Sequence, residues 1–172
     1  MQRVTGAVLI LTATCGAGYV YCRELRLYLE RMTSLRYVMS LIRGEIAYTR
    51  APLTEVFAAV ARKVKEPYRT WLLGTAKEME AHREQGFPAV WSRAVRRYLE
   101  PLELKREHRL LLTEAGSFLG SLEKDTLDRT FALYLERMDR ETEKLREGLA
   151  AKTRIGGCLG VMSGIFLIVI LL

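Results

Sequence analysis

The chain has 172 residues, of which 49 % are hydrophobic and 27 % charged, with a formal net charge of +7 at pH 7. That length leaves room for one folded domain beside its apolar ends. Basic and acidic residues alternate, with no cationic block and no aromatic stacking pattern, which excludes a nucleic-acid-binding signature. Cys15, Cys22 and Cys158 all fall in terminal apolar segments, which excludes a disulfide framework or a cysteine metal site in the middle of the chain.

Residues 4–22, VTGAVLILTATCGAGYVYC, carry no charge, follow Arg3, and place Tyr19 and Tyr21 where an interfacial aromatic belt would lie. The run is long enough for a membrane-spanning helix. A cleaved signal peptide competes with that reading, because the segment is N-terminal and preceded by a positive charge. The absence of a small-x-small site after the run favours the span. Ala13 with Ala17, and Thr12 with Gly16, are small residues four apart, a spacing that lets another helix backbone approach closely in lipid.

Beyond Cys22, Leu25, Leu29, Met32, Leu35, Met39, Ile42 and Ile46 step by three and four. This period predicts a helix with one buried face, continuous with the first span. Pro52 opens a second helix (PLTEVFAAVARKV) and Pro67 a third (PYRTWLLGTAKEMEAHRE), which Gly86 is expected to close as a C-cap. Pro88 opens a fourth (PAVWSRAVRRYLE), and Pro101 separates it from a fifth (LELKREHRLLLTEAGSFLG). Ser121 or Asp125 is placed to cap a sixth. That helix repeats the apolar stripe with Leu127, Phe131, Tyr134, Met138, Leu145 and Leu149, interrupted at Thr142. Glu136 with Arg140, Glu141 with Lys144 and Glu143 with Arg146 are spaced for surface ion pairs on it. No strand-like alternation occurs.

Residues 155–172, IGGCLGVMSGIFLIVILL, are again uncharged. At about 1.5 Å per residue they cover roughly 27 Å, close to the hydrocarbon thickness of a bilayer. Gly156, Gly160 and Gly164 recur every fourth residue and share one helix face, a tandem GxxxG surface for packing against another membrane helix. A span that is merely rich in glycine is the alternative. From Asp125 onward there is no proline, so the sixth helix and this span are expected to form one rod of roughly 70 Å. The expected architecture is all-α: a transmembrane helix over 1–22, a six-helix cytoplasmic bundle over 23–154, and a transmembrane helix over 155–172. Arg23, Arg26, Arg31, Arg146, Lys152 and Arg154 flank the spans on the bundle side, against Arg3 alone on the other. That bias places the bundle in the cytoplasm and both termini outside.

Catalytic constellations are missing from the sequence. His82 and His108 belong to no HExxH or equivalent spacing and read as exposed helix histidines. There is no phosphate loop, no nucleophile elbow and no dinucleotide fingerprint. Glu78, Glu80 and Glu84 share their run with Lys77 and Arg83 and read as a solvated face. Arg93, Arg96, Arg97, Lys105, Arg106 and Arg109 alternate with Glu100, Glu103 and Glu107, which reads either as a solvated surface or as a docking patch for an acidic protein or the inner leaflet. The expectation is a non-enzyme with no cofactor and no metal.

Two terminal spans thus bracket a helical domain that contains GEIAYTRAPLTEVF (Gly44 to Phe57) and LTEAGSFLGSLEKDTLDRTFALYLERMDRE, followed by a glycine-rich span. This layout resembles the stage III sporulation protein AB family of endospore-forming bacteria, over essentially the whole chain. Glu45, Ile46, Tyr48, Pro52 and Leu53, with Gly116 and Gly120, carry most of the resemblance. The family is similar in turn to the platform proteins of type II secretion and type IV pilus machines. The resemblance implies a membrane component of a complex between mother cell and forespore. Its implied partners are a secretion-type ATPase, stage III sporulation protein AA, and other proteins of the same complex, with lipid around the spans and self-association as a further expectation. A two-span scaffold or signalling protein that binds a cytoplasmic partner is the alternative.

Overall fold

The structure, a computed structural model, describes the backbone of residues 2–49, 51–120 and 124–171 and the side chains of residues 16, 18–49, 51–120, 126–150 and 152. Among the described residues six helices follow one another: α1 (Gln2–Thr49), α2 (Leu53–Ala61), α3 (Tyr68–Ala81), α4 (Phe87–Tyr98), α5 (Arg106–Leu119) and α6 (Lys124–Leu171), with a 3-10 turn at Glu100–Leu102. The chain is all-α, with no strand among the described residues. Among the described residues no helix is long and apolar enough to cross a membrane. The side chains of 1–15, 17 and 153–172, which make up most of both expected spans and include Ala13, Ala17, Gly156, Gly160 and Gly164, lie outside the described residues.

The chain divides into two compact units, Thr33–Asp139 on the one hand and Met1–Met32 with Arg140–Leu172 on the other. In the first unit all four prolines sit at element starts, where a missing amide costs least. Pro52 and Pro67 are the N-caps of α2 and α3, Pro88 lies in the first turn of α4, and Pro101 lies in the 3-10 turn. The apolar stripe of α1 delivers Leu35, Val38, Met39 and Ile42 to the interior, and that of α6 delivers Leu127, Phe131, Tyr134 and Met138. Each of these aliphatic, methionine and phenylalanine side chains contributes about 1.5–3 kcal/mol on burial. Between them, Phe57 of α2, Trp71 of α3, and Phe87 and Trp91 of α4 form an aromatic cluster, with Trp91 5.0 Å from Trp71 and 5.8 Å from both phenylalanines. A second cluster joins α5 to α6, where Phe118 lies 5.4 Å from both Phe131 and Tyr134.

Polar clamps close the outside of this unit. Arg43 grips Asp128 through two parallel hydrogen bonds of 2.7 and 3.0 Å, and Arg137 donates to Glu114 at 2.9 Å. The Arg43 guanidinium holds the Asp128 carboxyl below its ordinary value, and Asp128 raises Arg43 in turn. In the second unit, Glu141 with Lys144 and Glu143 with Arg146 form the expected surface pairs at 2.8 Å. There Lys152 Nζ donates to the Tyr21 hydroxyl at 3.3 Å and lies 5.8 Å from its ring.

Three helix boundaries differ from the sequence reading. Helix α3 ends at Ala81 with His82 as its C-cap. Gly86 is extended (φ −59°, ψ 144°) and its carbonyl accepts from Ala89 at 3.0 Å and Val90 at 3.5 Å, so it opens α4 instead of closing α3. Helix α5 starts at Arg106, four residues later than the fifth segment, because Glu103 adopts a left-handed conformation (φ 48°) that no helix continues through. Buried Leu102 and Leu104 on either side hold that kink in place. Ser121 and the side chain of Asp125, the two expected caps of α6, lie outside the described residues.

Candidate interaction site

The segment from Glu45 to Leu53 forms the corner between α1 and α2. Thr49 Oγ1 donates to the Glu45 carbonyl at 2.8 Å and accepts from the Ala51 amide at 3.4 Å, tying off the last turn of α1. Pro52, with φ −56° and ψ 149°, then turns the chain, and its carbonyl accepts from Glu55 at 3.0 Å and Val56 at 3.1 Å to start α2. The missing amide of Pro52 is one that a helix start leaves unused. Sequence chemistry and backbone agree closely here.

The side chains of this corner divide by role. The Glu45 side chain is only 15 % exposed and pairs with Lys63 at 2.7 Å, bracing the end of α1 against the end of α2. Ile46 and Leu53 are half-buried beneath the turn. Tyr48 is 90 % exposed, the most exposed large apolar side chain among the described residues. Separately from Tyr48, a cleft of about 380 Å³ opens at the same corner, lined by Val56 and small Ala51, Ala58 and Ala59 together with Glu45, Glu55 and Arg62. Exposed aromatic side chains are enriched at protein-binding surfaces, and Tyr48 is one.

Gly116 and Gly120 lie elsewhere, on the face of α5 that meets α4. A Cβ at Gly116 would stand 2.7 Å from Trp91 Cδ1, and one at Gly120 2.8 Å from Phe87 Cβ. Trp91 Nε1 donates to the Leu112 carbonyl at 2.7 Å, so the indole is fixed against α5. Phe57 of α2 stacks on that same Trp91. The two glycines therefore act by close helix approach, and the packing they allow supports α2 from behind. Gly16, of the expected membrane-packing residues, has nothing within 4 Å of its Cβ position.

Two readings of polar residues need correction. His108 is 2 % exposed, a buried residue of α5 and no surface histidine. Its spacing from Leu111, Leu112 and Ala115 puts it on the apolar face, a signal that its charged neighbours obscure. Glu78 is 8 % exposed, with Arg97 3.6 Å away. The indicator was Gly74 one turn earlier: the absent side chain there admits the Tyr98 ring, which a Cβ would overlap, and α4 thereby covers Glu78. Arg97 in turn lies over the Tyr98 ring at 5.5 Å. Of the remaining basic stretch, Arg96 donates to Ser92 at 3.1 Å and Arg109 to the Leu104 carbonyl at 3.2 Å. Among the described residues no group of three or more His, Cys, Asp or Glu side chains converges as metal ligands would.

Comparison with known proteins follows the same outline. A family model for stage III sporulation protein AB matches residues 3–172. The chain is 22 % identical over 175 residues to stage III sporulation protein AB of Bacillus subtilis (strain 168), with all of both chains covered (100 % each). A solved structure of stage III sporulation protein AB shares its fold, with a TM-score of 0.59 and 17 % identity over 74 % of this chain and 94 % of that one.

Proposed function

We propose, for a chain that belongs to the stage III sporulation protein AB family, a non-enzymatic role as a membrane platform in the sporulation complex between mother cell and forespore. Residues 1–22 and 155–172 are its transmembrane helices, and residues 23–154 form its cytoplasmic bundle. Both termini lie outside, in the mother-cell membrane that faces the forespore. The bundle couples a secretion-type ATPase, stage III sporulation protein AA, to the other membrane components. The observation that carries this reading is the α1–α2 corner. The segment that most resembles the family exposes Tyr48 at 90 %, an aromatic side chain of the kind that anchors protein–protein contacts. The absence of charge in residues 4–22 and 155–172 supports the anchoring.

The test joins topology to partner. With Cys15, Cys22 and Cys158 removed, a Ser92→Cys variant should resist an impermeant maleimide in intact protoplasts and react after lysis. Purification of the full chain from sporulating cells in mild detergent should recover the ATPase, and Tyr48→Ala should reduce that recovery. Labelling of intact protoplasts would reverse the orientation. Purification of an intact membrane complex lacking any ATPase would remove the coupling role.

A further inference from the structure

The outward face of α2 carries Glu55, Ala58, Ala59 and Arg62, at positions i, i+3, i+4 and i+7, so the four share one helix face. Among the described residues Glu55 makes no ion pair, and the Arg62 side chain makes one hydrogen bond, Nε donating to the Ala58 carbonyl of its own helix at 3.4 Å. Its neighbour Lys63 is already engaged by Glu45 at 2.7 Å. One acid and one base are thus left at opposite ends of an open face, about 10 Å apart at 1.5 Å per residue. The midpoint between positions 55 and 62 falls between the two alanines, whose short side chains border the cleft between the charges.

That arrangement is self-complementary. A two-fold axis through the alanines, with two α2 helices antiparallel, brings each acid opposite the other copy's base, as an isologous contact requires. A foreign partner would need an acid and a base at the same spacing, whereas a second copy carries them already. We infer that α2 is a two-fold contact between two copies of this chain, in which Glu55 pairs with Arg62 of the partner subunit across Ala58 and Ala59. The face of one nine-residue helix is too small for a tight dimer in dilute solution. Confinement of both copies to one bilayer raises their effective concentration, and in this respect the inference rests on the membrane anchoring proposed above.

The charges make the test decisive. In the full chain without native cysteines, Ala59→Cys is introduced and membranes of a heterologous bacterial host are treated with a short bismaleimide. A cross-linked dimer is expected. Glu55→Arg and Arg62→Glu, each added singly, set like charges against each other twice by symmetry and should lower the yield about tenfold or more. Co-expression of those two variants under different tags should restore the mixed dimer, because one copy then presents two bases and the other two acids, and both contacts again join opposite charges. Lys77→Glu, an exposed change on α3, should leave the yield unaltered. Unchanged yield in the single variants, no rescue on co-expression, an equal loss for Lys77→Glu, or cross-linking only to another protein would each overturn the inference. Cross-linking of whole lysates of the same cells before sedimentation separates the two ideas: a charge-dependent mixed dimer recovered from the soluble fraction would uphold the contact and refute the anchoring.

Discussion

Replacing Gly116 by alanine tests whether close approach of α4 and α5 holds the bundle together. The new methyl would stand 2.7 Å from Trp91 Cδ1 and 3.0 Å from its Cβ and Cγ, closer than carbon atoms tolerate. The indole cannot step aside, because Phe57, Trp71 and Phe87 surround it and its Nε1 is bonded to Leu112. Overpacking of this kind costs about 1–3 kcal/mol. Displacing Trp91 enough to lose its hydrogen bond adds about 0.5–1.5 kcal/mol. The helix propensity of alanine returns about 0.5–1 kcal/mol. At the middle of these ranges a net loss of about 2 kcal/mol remains, which for a chain of this size lowers Tm by roughly 4–8 °C. The assay is thermal unfolding of the full chain in detergent, followed by far-ultraviolet circular dichroism at low scan rate. Gly44→Ala is the matched control in α1, since nothing lies within 4 Å of its Cβ position, and it should be neutral or stabilising. A Gly116→Ala protein as stable as the parent would refute the argument that this glycine is a packing necessity.

Three further outcomes follow from other parts of the chain. Tyr134 is 5 % exposed with no hydrogen-bond partner for its hydroxyl, so Tyr134→Phe should stabilise the protein by about 1 kcal/mol in denaturant titration at neutral pH. Burial, reinforced by Glu114 and opposed by Arg137, raises that phenol above its ordinary value; stability should therefore fall as pH rises past about 10, and the phenylalanine variant should lack that loss. Asp128 is depressed by Arg43, so its contribution is full above about pH 4 and disappears as pH falls through the lower folded value. Asp128→Asn should flatten that acid limb. In the glycine-rich terminal segment, Gly160→Leu should reach the membrane at normal levels yet lose helix cross-linking, while Val169→Leu should behave as the parent; normal cross-linking in Gly160→Leu would make the glycines incidental.

The helical stripes were legible because burial repeats with the helix period. Met32, Leu35, Met39 and Ile42, and likewise Phe131, Tyr134 and Met138, are buried where their spacing placed them. Prolines marked element starts for an equally local reason, their fixed φ and missing amide. Failures arose where a neighbouring helix decided the outcome. Glu78 reads as solvated from its own helix, and only Tyr98 packing against Gly74 shows that α4 covers it. His108 sits among charges in sequence but faces inward in three dimensions. Gly86 and Glu103 misled for a different reason: local composition favours a cap at glycine, yet the left-handed residue here is a glutamate. At the interaction corner, the motif from Glu45 to Leu53 was visible, but the pairing of Glu45 with Lys63 was not, since it depends on the turn folding α2 back on α1.

The aromatic cluster of α2, α3 and α4 has an optical consequence. The chain has two tryptophans, and both Trp71 and Trp91 belong to that cluster, with ring centroids 5.0 Å apart and neither exposed to water. Indoles so close share excitation, so their emission and near-ultraviolet ellipticity behave as one chromophore located between these helices. Phe57 stacks on Trp91 from the inner side of α2. A partner or second copy pressing on the outer side of that helix has an unlabelled reporter one side chain away, silent to events in the terminal segments, where no tryptophan exists.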